Sequence, residues 1–239
     1  MMGKEMIFVA DDFGLDAETN RVIVHTHLSG KLHATALMIG QPGTEDAVVL
    51  AKKHSSLKIG WHLHLNDSVP TTIDRWPWGA SPAGAGWSMG LLSSAQKLAR
   101  EEITRQWRLF QSTGLTCAFI NCHHHLHAHP FVYRVLRETV GDDFKGWIRL
   151  GSPRAFTPTW KSTVAFGIGD FFFRRRRKLS AWPSPDTLWG VDRPFRMEAN
   201  EVRSAIKNLP DGLHEFLFHP RTMDDPDTRC LLELKTFCA

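Results

Sequence analysis

From residue 6 to residue 219 the chain alternates short apolar runs of strand length with longer stretches of helical period. That alternation is the strongest constraint on the fold, because a parallel sheet with helices packed outside it is the architecture that buries both kinds of segment. Strands are expected at Met6–Asp11, Ala34–Gly40, Lys58–Leu65, Cys117–His123, Gly146–Leu150 and Gly212–His219. Helices are expected at Ala17–Ser29, Thr44–His54, Ser94–Ser112 and Phe131–Val140, several bounded by Gly or opened by Pro. At 239 residues and 42% hydrophobic content, residues 1–239 suit one domain, with room for a single (β/α) barrel at the small end of the range. Two stretches break the rhythm. Asp67–Gly90, rich in Pro, Gly, Ser and Trp, reads as a long loop, and Ser152–Arg196 as an irregular region with a helical excursion.

Polar residues of one chemical kind collect at the ends of the strands. Seven of the thirteen histidines fall in Trp61–Asn66 and Asn121–His129, each segment following a strand candidate. A core gains nothing from clustered imidazoles, whereas neutral imidazole is the commonest ligand of first-row divalent ions. The first strand ends at Asp11-Asp12 and adds two carboxylates. Alternation along a strand points neighbouring side chains in roughly opposite directions, so the two can take different tasks, and the sequence leaves open which faces inward. One carboxylate with one histidine from each segment makes three ligands from three strands, leaving positions for water and substrate, as catalytic rather than structural sites do. Such a metal lowers the pKa of water from about 16 to about 7 and polarises a carbonyl, which suits amide or ester hydrolysis. His219, closing the last strand candidate, supplies a further proton-carrying group.

The motifs Ala10-Asp11-Asp12-Phe13-Gly14-Leu15, Asn20, Ala34–Met38, Ile59–Leu65, Cys122–His127 and Phe218-His219-Pro220 occur in an order that resembles the YdjC-like carbohydrate deacetylases. The resemblance runs from residue 6 to about residue 225 and is nearest to the ChbG/HpnK group, which includes chitooligosaccharide deacetylases and proteins associated with hopanoid lipid biosynthesis. It implies a distorted (β/α) barrel, TIM-barrel-like and related to the polysaccharide deacetylases. It also implies removal of an N-acetyl group from an amino sugar, with one divalent metal ion, Zn or Mg, or else Mn or Co. By position, it makes Asp12, His62 and His123 the metal ligands, Asp11 the general base and His219 the general acid. Arg149 matches a strand-end arginine that orients a carboxylate or binds substrate, and His127 is a candidate for substrate contact. The segment 231–239 is short for the family, so truncation at the C-terminus is an open reading, and His64 and the tryptophans after it depart from the common pattern.

Other readings compete with a deacetylase. His62-Leu63-His64 is the H-x-H of amidohydrolase and phosphoesterase barrels, but there it belongs to the first strand. A facial-triad iron oxygenase expects an antiparallel sheet. A catalytically idle sugar- or lipid-binding barrel would have no use for an intact acid and base. Trp76, Trp78 and Trp87 in the long loop suit stacking on sugar rings. Phe171–Lys178, three phenylalanines followed by five basic residues, suits peripheral contact with an anionic membrane, though such a block is more often a solvated face. The formal charge of +4 carries no expectation of a nucleic-acid partner, and oligomerisation is left open. Without a secretory signal or a spanning segment the expected compartment is the cytoplasm. Cys117, Cys122, Cys230 and Cys238 lack C-x-x-C spacing and are expected to be reduced.

Overall fold

The structure is a computed structural model and describes residues 3–234. Eight parallel strands form one sheet: β1 (Lys4–Phe13), β2 (Ala34–Leu37), β3 (Lys58–Leu63), β4 (Phe119–Cys122), β5 (Trp147–Ile148), β6 (Ser152–Arg154), β7 (Thr187–Trp189) and β8 (Gly212–Phe218). Their order is β5-β4-β3-β2-β1-β8-β7-β6. The two edge strands, β5 and β6, are joined by Arg149–Gly151 alone, so the sheet curls into a TIM-barrel-like half-barrel whose ends meet at that seam. Helices fill the connections: α1 (Ala17–Ser29), α2 (Thr44–Lys53), α3 (Pro82–Leu91), α4 (Ser93–Ser112), α5 (Pro130–Val140), α6 (Trp160–Leu179), α7 (Ala199–Lys207) and α8 (Pro226–Glu233).

Strand alternation sorts the side chains into two cores. Phe8, Ala10, Ile59, Trp61, Ile120, Phe216 and Phe218 face outward into the large cluster under the helices. Val9, Ala34, Ala36 and Phe119 face the concave side, where Trp147 stacks on Phe119 at 4.7 Å between ring centroids. Small residues make room for that stack: a Cβ on Gly60 would meet the Phe119 ring at 2.5 Å. Asp11, His62, Asn121 and Glu215 share the parity of the concave set and continue it toward the C-terminal strand ends.

Several sequence expectations are corrected. Asp67–Gly90 is irregular only as far as Ser81, which caps α3 through Gly84 N–H, with Pro82 in the first turn. The small residues there read as loop, but they pack a helix. His123 does not end a strand: β4 stops at Cys122 and a 3₁₀ segment, His123–Ala128, begins. The irregular region holds α6 as expected, together with β6 and β7, which are too short to show a period. Cys117, Cys122 and Cys230 are free thiols, and Cys238 lies outside the described residues. No helix among the described residues is long and apolar enough to cross a membrane.

Candidate active site

The end of β1 departs from regular alternation, and the site depends on it. The pairing of β1 with β2 shifts register between Ala10 and Phe13, and Asp12 has φ 68°. This bulge re-aims one side chain, as bulges beside functional sites do. Asp11 and Asp12 therefore both reach the concave side instead of opposite faces. Asn20 fixes the turn that follows: its Oδ1 accepts from Gly14 N–H at 2.7 Å, and its Nδ2 donates to the Gly43 carbonyl at 2.9 Å. Gly14, at φ 92°, is needed there because a Cβ would lie 2.7 Å from the Met38 carbonyl oxygen.

Asp12 meets one histidine from each segment. Its Oδ1 lies 3.3 Å from His62 Nε2 and 3.3 Å from His123 Nδ1. Neither Asp12 Oδ1 nor His62 Nε2 has a hydrogen-bond partner, although both residues are 1% exposed. The other carboxylate oxygen, Oδ2, accepts from Arg221 Nη2 at 2.8 Å. Burial raises the Asp12 pKa, but the two histidines outweigh it and hold the carboxyl well below its usual range. For His62 the opposition is reversed: burial pushes its pKa down, and the charges of Asp11 and Asp12 raise it overall. The pocket thus favours positive charge between these groups.

Asp11 is held differently. Arg149 donates from Nη1 to Asp11 Oδ2 at 2.6 Å and from Nη2 to Oδ1 at 2.9 Å, and its Nε donates to Glu215. Burial favours the neutral Asp11 carboxyl, yet the Arg149 charge brings its pKa far below the ordinary value. Asn121 Nδ2 also donates to Asp11 Oδ1, at 2.8 Å, while Asn121 Oδ1 lies 2.7 Å from His62 Nδ1. This fixes a proton. An ionised Asp11 only accepts, so the amide nitrogen of Asn121 faces it, and the amide oxygen takes the Nδ1–H of His62. In the neutral imidazole, the form that can ligate a metal, the Nε2 of His62 then carries the lone pair and directs it toward Asp12 Oδ1. One carboxylate oxygen and two imidazole nitrogens, two of the three atoms buried and unsatisfied, are a donor set that fits a divalent cation.

His219 faces the same cavity, of about 200 Å³, which Asp11, Asp12, His123, His125 and Phe195 help to line. Asp227 holds its backbone by accepting the His219 N–H at 2.6 Å, its ring lies 5.0 Å from Phe195, and its Nδ1 has no partner. Burial lowers its pKa. A larger cavity of about 660 Å³, beside Phe156, Trp189 and α7, contains none of these groups.

The structure brings Asp11, Asp12, His62, His123 and His219 together and sets the expected substrate contacts apart. Arg149 is fully buried with its guanidinium committed to Asp11 and Glu215, so of its two expected tasks it fits the orienting of a carboxylate. His127 is also fully buried, and Nε2 makes its hydrogen bond to the Arg149 carbonyl. Trp76 and Trp78 stack on each other at 5.5 Å and turn their indole N–H groups to Ser68 Oγ and the Leu65 carbonyl. They belong to the core packing rather than to an open sugar platform, whereas Trp87 is exposed. Sequence reasoning missed Asn121, Glu215, Arg221 and Asp227. Parity could have found two of them: Asn121 falls on the same side of β4 as Phe119, and Glu215 on the same side of β8 as Leu217, whereas Arg221 and Asp227 lie beyond β8 and carry no such signal.

Comparison with known proteins gives a consistent result. A carbohydrate deacetylase of Halalkalibacterium halodurans is 32% identical over 229 residues, covering 92% of this chain and 86% of the relative. One of Vibrio cholerae serotype O1 is 36% identical over 139 residues, so the aligned part spans about half the length of that relative, 55%. A solved Enterococcus faecalis V583 protein proposed to cleave cellobiose-phosphate shares the fold, with a TM-score of 0.66 at 15% identity over 96% of this chain and 91% of that one. With the YdjC-like protein model matching residues 5–238, nearly the whole chain and every strand end described above, the protein belongs to the YdjC-like family.

Proposed function

We propose that the protein is a metal-dependent N-deacetylase acting on an amino sugar. The observation that carries this reading is the convergence of Asp12 Oδ1, His62 Nε2 and His123 Nδ1 beside a second carboxylate, Asp11, that other groups already hold. The carbohydrate deacetylases among its relatives support the substrate class. Asp12, His62 and His123 would hold the ion, Zn or Mg, with Mn and Co as alternatives. When bound, it supplies Lewis acidity that polarises the acetamide carbonyl and makes water more acidic.

The chain's own residues supply the proton transfers. Asp11 takes the proton of the attacking water; Arg149 and Asn121 fix its orientation and keep it ionised. His219, with its unpartnered Nδ1, gives a proton to the departing sugar nitrogen, so that water and amide become acetate and amine. A positioned acid or base of this kind contributes about 10²–10⁴-fold. The acceptor sugar is a chitooligosaccharide or a lipid-linked glycoside, including a hopanoid glycoside. A specific feature favours the second: His125 lines both the active-site cavity and an apolar cavity of about 250 Å³ beside Phe172 and Phe173.

The test separates ligand from base. Asp12→Ala, His62→Ala and His123→Ala should lose metal by elemental analysis, while Asp11→Asn should retain it and release acetate at least about 100-fold more slowly. Metal loss in Asp11→Asn with retention in Asp12→Ala would reverse the two roles. Screening acetate release across N-acetylated sugars and sugar lipids with each ion identifies substrate and metal together.

A further inference from the structure

The helix α6 presents an apolar stripe to the outside. Trp160, Val164, Ile168 and Phe171 recur at i, i+4, i+8 and i+11, one side of a helix with 3.6 residues per turn. They are 74%, 57%, 61% and 59% exposed. The packing needs of the helix are met on its other side, where Phe173 and Arg176 are buried. Single exposed apolar residues are ordinary; four in register on one stripe are not. The stripe then changes character. Lys178 lies eighteen residues, or five full turns, beyond Trp160 and so on the same line, with Arg174 and Arg175 to either side, all three exposed. Arg174 meets Asp170, the acidic residue on this helix, at 2.5 Å.

We propose that this face of α6 docks on the surface of an anionic lipid bilayer. Apolar side chains ending in a cationic turn match both layers of such a surface, with the stripe entering the acyl boundary and the cations meeting the headgroups. A second copy of this basic chain would offer no complementary charge, and the chain as a whole carries +4. The placement has a consequence for access. Both α6 and α3 pack on the 3₁₀ segment that begins with His123, and α3 carries exposed Trp87 and Leu91. A bilayer against α6 lies on the helix whose Phe172 and Phe173 line the apolar cavity that shares His125 with the active-site cavity. Docking is independent of the reaction assigned to the site, and its failure would leave that assignment standing.

Co-sedimentation with phosphatidylcholine vesicles, with and without phosphatidylglycerol, tests this. The wild type should partition to the anionic vesicles only. Replacing Arg174, Arg175 and Lys178 with Gln should weaken partition by about 100-fold, each cation near the surface contributing about fivefold. The triple variant Val164→Glu, Ile168→Glu, Phe171→Glu should remain in the supernatant, with an unchanged melting temperature and unchanged acetate release from a soluble sugar. Equal partition of all three proteins, or no partition of the wild type, overturns the proposal. So does a concentration-dependent dimer that the glutamate variant abolishes while vesicles retain nothing.

Discussion

Adjacent carboxylates differ in availability rather than in kind. Both oxygens of Asp11 accept hydrogen bonds from Arg149, and one also from Asn121, whereas Asp12 spends Oδ2 on Arg221 and leaves Oδ1 bare. Asn121 links the two tasks, since a single amide fixes the tautomer of His62 and the orientation of Asp11. Asn121→Leu should therefore weaken metal binding by about 10–100-fold, the usual effect of losing an outer partner of a ligating histidine. Calorimetric titration of the metal-free protein measures it, and unchanged affinity would show that His62 needs no such partner. Arg149 carries a different burden. Arg149→Met leaves Asp11 and Glu215 buried together without a counter-charge, and should cost about 3–5 kcal/mol of stability in urea denaturation. Arg149 stood out in the sequence only through the family resemblance, and Asn121 did not stand out, because a polar residue inside an apolar strand becomes legible only when the strand's inward parity is known.

At the scale of elements, β3 and β4 set the distance across the site. Gly60 and Phe119 pack face to face on the concave side, two residues before His62 and Asn121. Gly60→Ala would drive a methyl group into the Phe119 ring, which is itself pinned under Trp147. Overpacking of this kind costs about 1–3 kcal/mol, and a lowered thermal midpoint should report it. Retention of the wild-type midpoint would mean that the ring can move aside. The long elements were legible. The strand candidates over β1, β3 and β8 and the helices α1, α2, α4 and α5 carried clear periods and end signals, and three of them deliver site residues. The two-residue β5 was legible too, inside the Gly146–Leu150 candidate, but the three-residue strands β6 and β7 were not, since so few residues show no alternation and tertiary pairing decides them. The bulge at Asp12 was invisible for a related reason: it arises from the fit of β1 to β2, and no residue of β1 announces it.

The whole molecule has a weak seam, and its titration behaviour follows from what holds it. Where β5 and β6 meet without a ladder, His127 Nε2 donates to the Arg149 carbonyl and ties the 3₁₀ segment to the connection between these strands. His127 Nδ1 is buried without a partner, so a second proton would create an N–H with no acceptor. Burial accordingly pushes its pKa down to about 3 from 6.5. Unfolded, His127 binds a proton near pH 6.5; folded, it stays neutral until about pH 3. Between those values the unfolded state holds the extra proton, so this contribution is complete above pH 6.5 and is lost as the pH falls toward 3. Asp227 works the other way: burial raises its pKa from 3.8 to about 6, so its contribution is complete below pH 3.8 and lost as the pH rises through 6. The two oppose each other over that window, and the wild-type slope alone separates neither. His127→Gln does. Glutamine keeps a donor for the Arg149 carbonyl but cannot titrate, while Asp227 is the same in both proteins and cancels. In metal-free protein, urea denaturation between pH 6 and 4 should show wild-type stability falling more steeply than that of the variant by about 1.4 kcal/mol per pH unit. Parallel pH profiles would mean that His127 finds an acceptor for its second proton, and that the seam is not held by a neutral imidazole.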